Sequence, residues 1–288
     1  MQELSYHKPQ SLGEAVALMA QYAGSIRPYA GGTDLMVQLR ERAKRLKDTE
    51  HLMDLGAIPE LKGIELLPDS IRIGAMTTHT EVNYSELLRK YAHMLSVASS
   101  TVGAEQIRNN GTIGGNICNG SPAADTLSPL VALNASIRLV SVRGERTSLV
   151  KDIYTGAGQV SLAPDELAIC FEIPRIDGYG TSFIKLGRRK ALAISRMNAA
   201  VALKIEGGVI RDARIAPGCV FAVPDRVWEA EKALIGKTPS EELFYACGDM
   251  AAEQMIATTG VRWSTQYKQP VIKTLVKRAL CEAAEASV

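Results

Sequence analysis

Residues 110–130 read NGTIGGNICNGSPAADTLSPL, with four glycines, three asparagines and no lysine or arginine between Arg108 and Arg138. So much glycine disfavours a helix interior, and the polarity disfavours a core strand. The expectation is a loop of bare backbone that lets something approach closely, with one acid, Asp125, at its far side. A second glycine turn, Ala30-Gly31-Gly32-Thr33-Asp34, precedes an apolar-periodic stretch and is expected to open a helix near Thr33 or Asp34. Without a Cβ, backbone N–H groups can converge on an anion, and a helix N-terminus favours phosphate. Either turn alone reads first as an ordinary turn. Together, each with a threonine hydroxyl (Thr33 and Thr112), they suit the two phosphates of a dinucleotide.

The remaining composition excludes more than it selects. The chain has 288 residues, 46% hydrophobic and 22% charged, enough for a sizeable core in two or three domains. A net charge of +2 points to neither nucleic acid nor an anionic membrane. No apolar run reaches the roughly 18 residues of a membrane span, and "MQELSYHKPQ" lacks signal-peptide character. Cys118, Cys170, Cys219, Cys247 and Cys281 are scattered and odd in number, without CxxC spacing. A disulfide framework, zinc site or iron–sulfur cluster is therefore not expected in this chain, and a reduced cytoplasmic protein is. His7, His51, His79 and His93 form no HExxH or catalytic-triad pattern.

Along the chain, "SLGEAVALMAQYA" predicts a helix capped by Ser11, and "SIRPY" a short strand before the first glycine turn. Residues 51–82 read as strands with turns, which puts a boundary near Gly56. "SELLRKYAHMLSVASSTVGAEQI" reads as helical; "ASIRLVS", "RTSLV" and "ELAICFEIP" read as strands. Residues 174–180 look like a linker. Beyond it comes a small antiparallel sheet with a hairpin at Gly207-Gly208, then helices from Pro224 onward.

The familiar nucleotide fingerprints are missing. No GxGxxG occurs, and "IGKT" at residues 235–238 lacks the earlier glycine of a P-loop. Asp125 suits acceptance from ribityl or ribose hydroxyls and equally suits capping the helix that follows it. Lys185, Arg188 and Arg189 can bring positive charge to an electron-accepting ring, or can simply be a solvated strand edge.

The segments "AGGTDL", "QIRNNGTIGGNICNGSPAAD" and "DELAICFEIP" followed by "FIKLGRR" resemble, in order and spacing, the FAD-binding subunit of the molybdenum hydroxylases. This family includes the flavin subunits of xanthine, nicotinate and carbon monoxide dehydrogenases. The resemblance covers nearly the whole chain. It implies an α+β fold: a two-subdomain FAD-binding unit of the vanillyl-alcohol oxidase type plus a C-terminal antiparallel sheet with helices. The corresponding divisions are residues 1–56, 57–177 and 178–288.

Carried over position by position, the resemblance implies that Pro28, Tyr29, Ala30, Gly31, Gly32, Thr33, Asp34 and Leu35 hold the FAD pyrophosphate together with Thr112, Ile113, Gly114, Gly115 and Asn116. Val102 and Gly103 match a stretch near the flavin ring, Leu167 a residue packed on it, and Asp125 and Lys185 an acid and a lysine of the site. Ala193, Ile194 and Ser195 fall in a loop that approaches the ring in relatives. No catalytic acid or base is implied, and no metal ligand. The implied partners are a small [2Fe-2S] subunit and a large subunit bearing the molybdenum cofactor. NAD or another acceptor would take the electrons, and "YTGAGQVSLAPDEL" leans toward purine or other N-heterocycle substrates. The chain lacks the cysteine-bearing insertion of the 4-hydroxybenzoyl-CoA branch, and Val102 stands where some relatives carry an aromatic. Rival readings are a stand-alone flavoprotein oxidase of the same superfamily and a non-catalytic nucleotide-binding module.

Overall fold

The computed structural model describes residues 3–287. The chain opens with β1 (Ser5–His7), α1 (Leu12–Gln21), β2 (Ile26–Tyr29), α2 (Leu35–Arg40) and β3 (His51–Asp54). These strands form a parallel sheet in the order β1-β3-β2. Ser11 caps α1 by accepting the N–H of Glu14, whose own carboxylate reaches back to the N–H of Gln10. Ala15 and Met19, four residues apart on α1, are buried in the same core as Ile26 and Met53 of the sheet.

The middle of the chain adds β4 (Ile64–Leu66), β5 (Ser70–Gly74), α3 (His79–Tyr84), α4 (Glu86–Tyr91) and α5 (His93–Ser100). After them come α6 (Glu105–Arg108), α7 (Ile113–Cys118), α8 (Leu127–Ala132), β6 (Ser136–Ser141) and β7 (Gly144–Leu149). A small hairpin, β8 (Tyr154–Gly156) and β9 (Gln159–Val160), leads into β10 (Leu167–Pro174). The main sheet here is antiparallel, ordered β4-β5-β10-β6-β7. Its central strand is covered on both faces. Leu167 and Ile169 of β10 join the N-terminal core, while Ala168, Phe171 and Ile173 join the core built by α3, α5, α7 and α8. A bulge between Ala168 and Cys170 shifts the alternation by one residue.

The last part holds β11 (Tyr179–Leu186), β12 (Met197–Glu206), β13 (Val209–Gly218), α9 (Trp228–Leu234), α10 (Glu241–Thr259) and α11 (Thr265–Glu285). Gly207 and Gly208, at φ +60° and +73°, make the two-residue turn between β12 and β13. Strand β12 also alternates between two cores. Met197, Ala199, Val201 and Leu203 face the helices α9–α11, while Ala200 and Ala202 face the middle core. The mixture of helices with mostly antiparallel sheets is the expected α+β architecture.

Three local expectations need correction. The end of the stretch expected to be strands with turns, "THTEV", belongs to helix α3, fixed by a reciprocal capping box between Thr78 and Glu81. The glycine-rich run contains a helix, α7, because Thr112 caps it and Ile113 and Ile117, four apart, are buried in the core below. The linker expected over residues 174–180 is shorter, since Pro174 still pairs with Ser70 in the sheet and Tyr179 already pairs with Lys204.

Helices α10 and α11 cross closely at Gly248, where an added Cβ would stand 2.5 Å from the Lys273 carbonyl oxygen. Gly248→Ala is therefore expected to destabilise the fold by about 1–3 kcal/mol through overpacking. Gly13→Ala in α1, where a Cβ meets nothing within 4 Å, should instead stabilise by about 0.5–1 kcal/mol. Urea unfolding of the two variants beside the wild type checks both signs.

Candidate functional site

A cleft of about 590 Å³ lies where the first glycine turn, the N-terminus of α7, the start of β10 and the β11–β12 loop meet. Fifteen of the eighteen residues expected at the site line it: Pro28, Ala30, Gly31, Gly32, Thr33, Asp34, Leu35, Val102, Gly103, Thr112, Gly114, Gly115, Asn116, Asp125 and Leu167. Three do not. Ile113 is fully buried in the middle core. Tyr29 turns its ring toward Gly32, whose missing Cβ would fall 2.5 Å from it. Lys185 lies just behind the wall and acts on the cleft through Asp125.

The two glycine turns touch each other. A Cβ on Gly31 would sit 1.9 Å from the Asn110 carbonyl oxygen, so only glycine permits this approach of backbone to backbone. Gly32 follows at φ +67°, in the left-handed region. Among the described residues, the N–H groups of Gly31, Gly32, Thr33 and Asp34 donate to no protein acceptor. They are a row of open donors on the cleft wall, the arrangement that cradles an anion. Below them Asn119 Nδ2 donates to Asp34 Oδ2 at 3.0 Å, and the Arg45 guanidinium donates to both Gln38 and Asn119.

The second turn differs from the expectation of free backbone. Its N–H groups are already committed: Ile113 to Thr77 O, Gly114 to Ala75 O, Gly115 to Thr112 Oγ1 at 3.0 Å, and Asn116 to Thr112 O. Gly114 is glycine because a Cβ would meet Ala75 O at 2.5 Å, which is packing of α7 on the end of the sheet. Gly115 faces the first turn, with Ala30 Cβ 3.9 Å from where its own Cβ would be. Asn116 is held by Thr126 Oγ1, which donates to its Oδ1 at 2.6 Å and leaves the amide nitrogen uncommitted.

Asp125 does not cap α8. Its Oδ2 accepts from Lys185 Nζ at 2.5 Å and its Oδ1 from Ser195 Oγ at 2.5 Å. Lys185 Nζ also donates to Thr101 O at 2.9 Å, so the lysine is a nearly buried bracket rather than a solvated strand edge. Burial pushes the Asp125 carboxyl up, and the two donors oppose that by favouring the carboxylate. Arg188 and Arg189 are exposed and do not line the cleft. Of the neighbouring loop, Leu192, Ala193 and Ile194 do line it.

Sequence reasoning missed His79. It is the first residue of α3, lines the cleft, and is almost fully buried, with Nδ1 lacking any hydrogen-bond partner. Burial, aided by the nearby Arg108 charge, lowers its pKa from 6.5 to about 4. A lone histidine inside "TTHTEV" carries no spacing signal that marks it. Burial pushes the Cys118 and Cys219 thiols up to about 12, so neither is a nucleophile at neutral pH. All five cysteines are free.

Residues 2–176 match the family described as the FAD binding domain in molybdopterin dehydrogenase. Residues 182–283 match the CO dehydrogenase flavoprotein C-terminal domain. The chain is 30% identical over 286 residues to the xanthine dehydrogenase FAD-binding subunit of Escherichia coli O157:H7, covering 98% of this chain and 97% of that one. It is 32% identical over 285 residues to the nicotinate dehydrogenase FAD-subunit of Eubacterium barkeri, covering 96% and 95%. Among solved structures it is similar to a carbon monoxide dehydrogenase chain from Hydrogenophaga pseudoflava, with a TM-score of 0.91, 30% identity, and coverage of 99% and 98%.

His79 generates a pH signature. Above about pH 7 the imidazole is neutral in both folded and unfolded chains. Below 6.5 the unfolded chain takes up a proton that the folded chain resists until about pH 4. Stability is thus expected to fall by about 3 kcal/mol between pH 7 and pH 4 on this account, and His79→Phe should remove that share. Urea unfolding across this range checks it; parallel pH profiles for wild type and variant would refute the buried neutral imidazole.

Proposed function

The chain belongs to the FAD-binding subunits of the molybdenum hydroxylases, an oxidoreductase family, and from that premise we propose that it relays electrons within a three-subunit enzyme. Single electrons arrive from [2Fe-2S] clusters in a small partner subunit. A large partner subunit holds the molybdenum cofactor and oxidises a purine or other N-heterocycle. NAD or another soluble acceptor takes the electrons away, in the cytoplasm. Among the described residues no helix is long and apolar enough to cross a membrane. We divide the chain for this role at residues 56 and 177, with the cleft between the parts.

The residues of the cleft fit FAD. The observation that carries the reading is the row of uncommitted N–H groups at Gly31, Gly32, Thr33 and Asp34, facing α7 and its uncommitted Asn116 amide. These donors would hold the pyrophosphate, with Thr112 and Asn116 on the opposite side. The Asp125 carboxylate, fixed by Lys185 and Ser195, would accept from hydroxyls of the ribityl chain. Val102, Gly103 and Leu167 would bound the ring, and the buried His79 also lines the cleft. When bound, the flavin supplies the ability to collect single electrons and surrender a pair. The protein's part is to bind, orient and shield it. No residue of this chain is assigned as acid or base.

The purified chain is expected to be yellow and to release non-covalent FAD on denaturation. Release of FMN, or no flavin after reconstitution, would contradict the reading, and a lone chain that oxidises an organic substrate would favour the stand-alone oxidase. Gly115→Val fills the gap between the two turns and should weaken FAD binding at least a hundredfold, or about 3 kcal/mol. Asp125→Ala should cost less, about 1.5–3 kcal/mol, as one charge-assisted acceptor is lost. Gly207→Val in the distant hairpin should lower stability and leave FAD affinity alone. Flavin fluorescence titration of apoprotein, with circular dichroism to confirm folding, distinguishes the three.

A further inference from the structure

Helix α2 ends in a tight reversal. Arg42 sits at φ +52°, its N–H donates to Leu39 O at 3.3 Å, and the Ala43 N–H donates to Gln38 O at 2.9 Å. This is a Schellman stop, with arginine in the left-handed position that usually takes glycine. It sends the chain back along α2, so that Arg45 returns to Gln38, seven residues earlier. Arg45 Nε and Nη2 donate to Gln38 Oε1 at 2.8 Å and 2.5 Å. Nη1 donates to Asn119 O at 3.3 Å, and Nη2 also donates to Asn119 Oδ1. Asn119 is the C-cap of α7, and its amide nitrogen donates to Asp34 at the N-cap of α2. One guanidinium thus bridges α2 and α7, the two helices that the glycine turns begin.

Residues 43–48 have little else to hold them. Apart from the reversal and local turns, every hydrogen bond from them to another element is made by Arg45, among the described residues. The segment is a strap with one latch. Leu46 is buried, and it lines the cleft together with Arg45, Gln38, Asn119 and Arg27. No hydrogen bond joins the strap to Asp125, Lys185, Val102, Gly103 or Leu167. Burial lowers the Arg27 pKa; Asp48 opposes this and the Arg45 charge adds to it, so the two arginines share one corner. Among the described residues neither has a carboxylate at ion-pair distance.

We infer that residues 43–48 close over the adenosine half of the bound dinucleotide, and that Arg45, as their latch, makes the cleft select FAD over FMN. The inference rests on the FAD reading above and adds the residues that tell a dinucleotide from a mononucleotide. With the pyrophosphate on the donors of Gly31 to Asp34 and the ribityl chain at Asp125, the corner of Arg27, Arg45 and Leu46 is left for the adenosine. FMN has nothing to place there. All three Arg45 nitrogens already donate to Gln38 and Asn119, which leaves mainly the flat face of the guanidinium to a ligand. A planar, delocalised cation favours an aromatic ring such as a purine. A ligand under a strap leaves only when the strap opens, so the latch governs the rate of release. Arg45 is therefore a positioning residue for the cofactor.

The test titrates the full chain, stripped of flavin, with FAD, FMN and ADP; ADP carries the adenosine and pyrophosphate without the flavin. Arg45→Ala is expected to speed FAD release and weaken ADP binding about tenfold each, and to leave FMN affinity unchanged. Arg45→Lys keeps the charge without the flat, bridging group and should recover little of the loss. Asp125→Ala should do the reverse, weakening FAD and FMN and sparing ADP. Arg40→Ala, which removes an exposed charge beside the strap, should change none of the three. A second readout uses the wild-type chain alone. Trypsin can cut the strap region at Arg42, Lys44, Arg45 and Lys47; FAD and ADP should protect these bonds, and FMN should not. Unchanged FAD release and ADP affinity in Arg45→Ala overturns the inference. So does FMN binding weakened as much as FAD binding, or a wild-type chain that holds FAD without any protection of the strap. Failure of the wild-type chain to bind FAD would instead defeat the functional reading, and protection by ADP would still decide whether the strap closes over adenosine.

Discussion

The buried pair of Asp125 and Lys185 is the constraint on which the site depends. Lys185 comes from β11, in the C-terminal half of the chain, and Asp125 from the loop before α8. The same lysine holds Thr101 O, just ahead of Val102 and Gly103, while the same aspartate holds Ser195 of the β11–β12 loop. One ion pair thereby sets the relative position of four segments at one end of the cleft. Asn198 continues the network, donating to Ser195 and accepting from Ser128 on α8. A buried ion pair adds little net stability over an apolar pair, because desolvation offsets the attraction. Its contribution is geometric, since among the described residues neither charge has another ion-pair partner.

At the other end the cleft is shaped by the absence of side chains. Gly31 lies against the Asn110 carbonyl, and Gly114 against that of Ala75, so the chain's own backbone occupies the space that a Cβ would take. Gly32 adopts a left-handed conformation, and among the described residues the N–H groups of its turn have no protein acceptor. The two glycine turns are thus unlike. The first offers backbone donors; the second is the capped start of a helix and offers the side chains of Thr112 and Asn116. Neighbouring His79 stays neutral by burial, so the cleft gains no compensating cation from it.

Much of this was legible from the residues because local patterns and global packing agree. The alternation of "ASIRLVS" and the Gly207-Gly208 turn specify strands and a hairpin, and Ser11 with Glu14 marks the start of α1. The misreadings have identifiable causes. Helix α7 was hidden by its glycines, although Ile113 and Ile117 at a spacing of four mark its buried face. Thr78 and Glu81 already spell a capping box at the end of the stretch read as strands with turns. The partner of Asp125 lies 60 residues away, so no local pattern could choose between a cap and a ligand. His79 acquires its character from burial and from the nearby Arg108 charge, which a single sequence does not display.

The most direct measurement is a double-mutant cycle on Asp125 and Lys185, read as both folding stability and FAD affinity. Asp125→Leu and Lys185→Met each leave one buried charge without its counterion, so each alone should cost about 3–5 kcal/mol of stability. The double variant should recover much of that loss while FAD affinity stays weak, because the carboxylate and its bracket are both gone. Stability losses that simply add in the double variant, or FAD affinity restored to the wild-type value, would show that the pair does not organise the site.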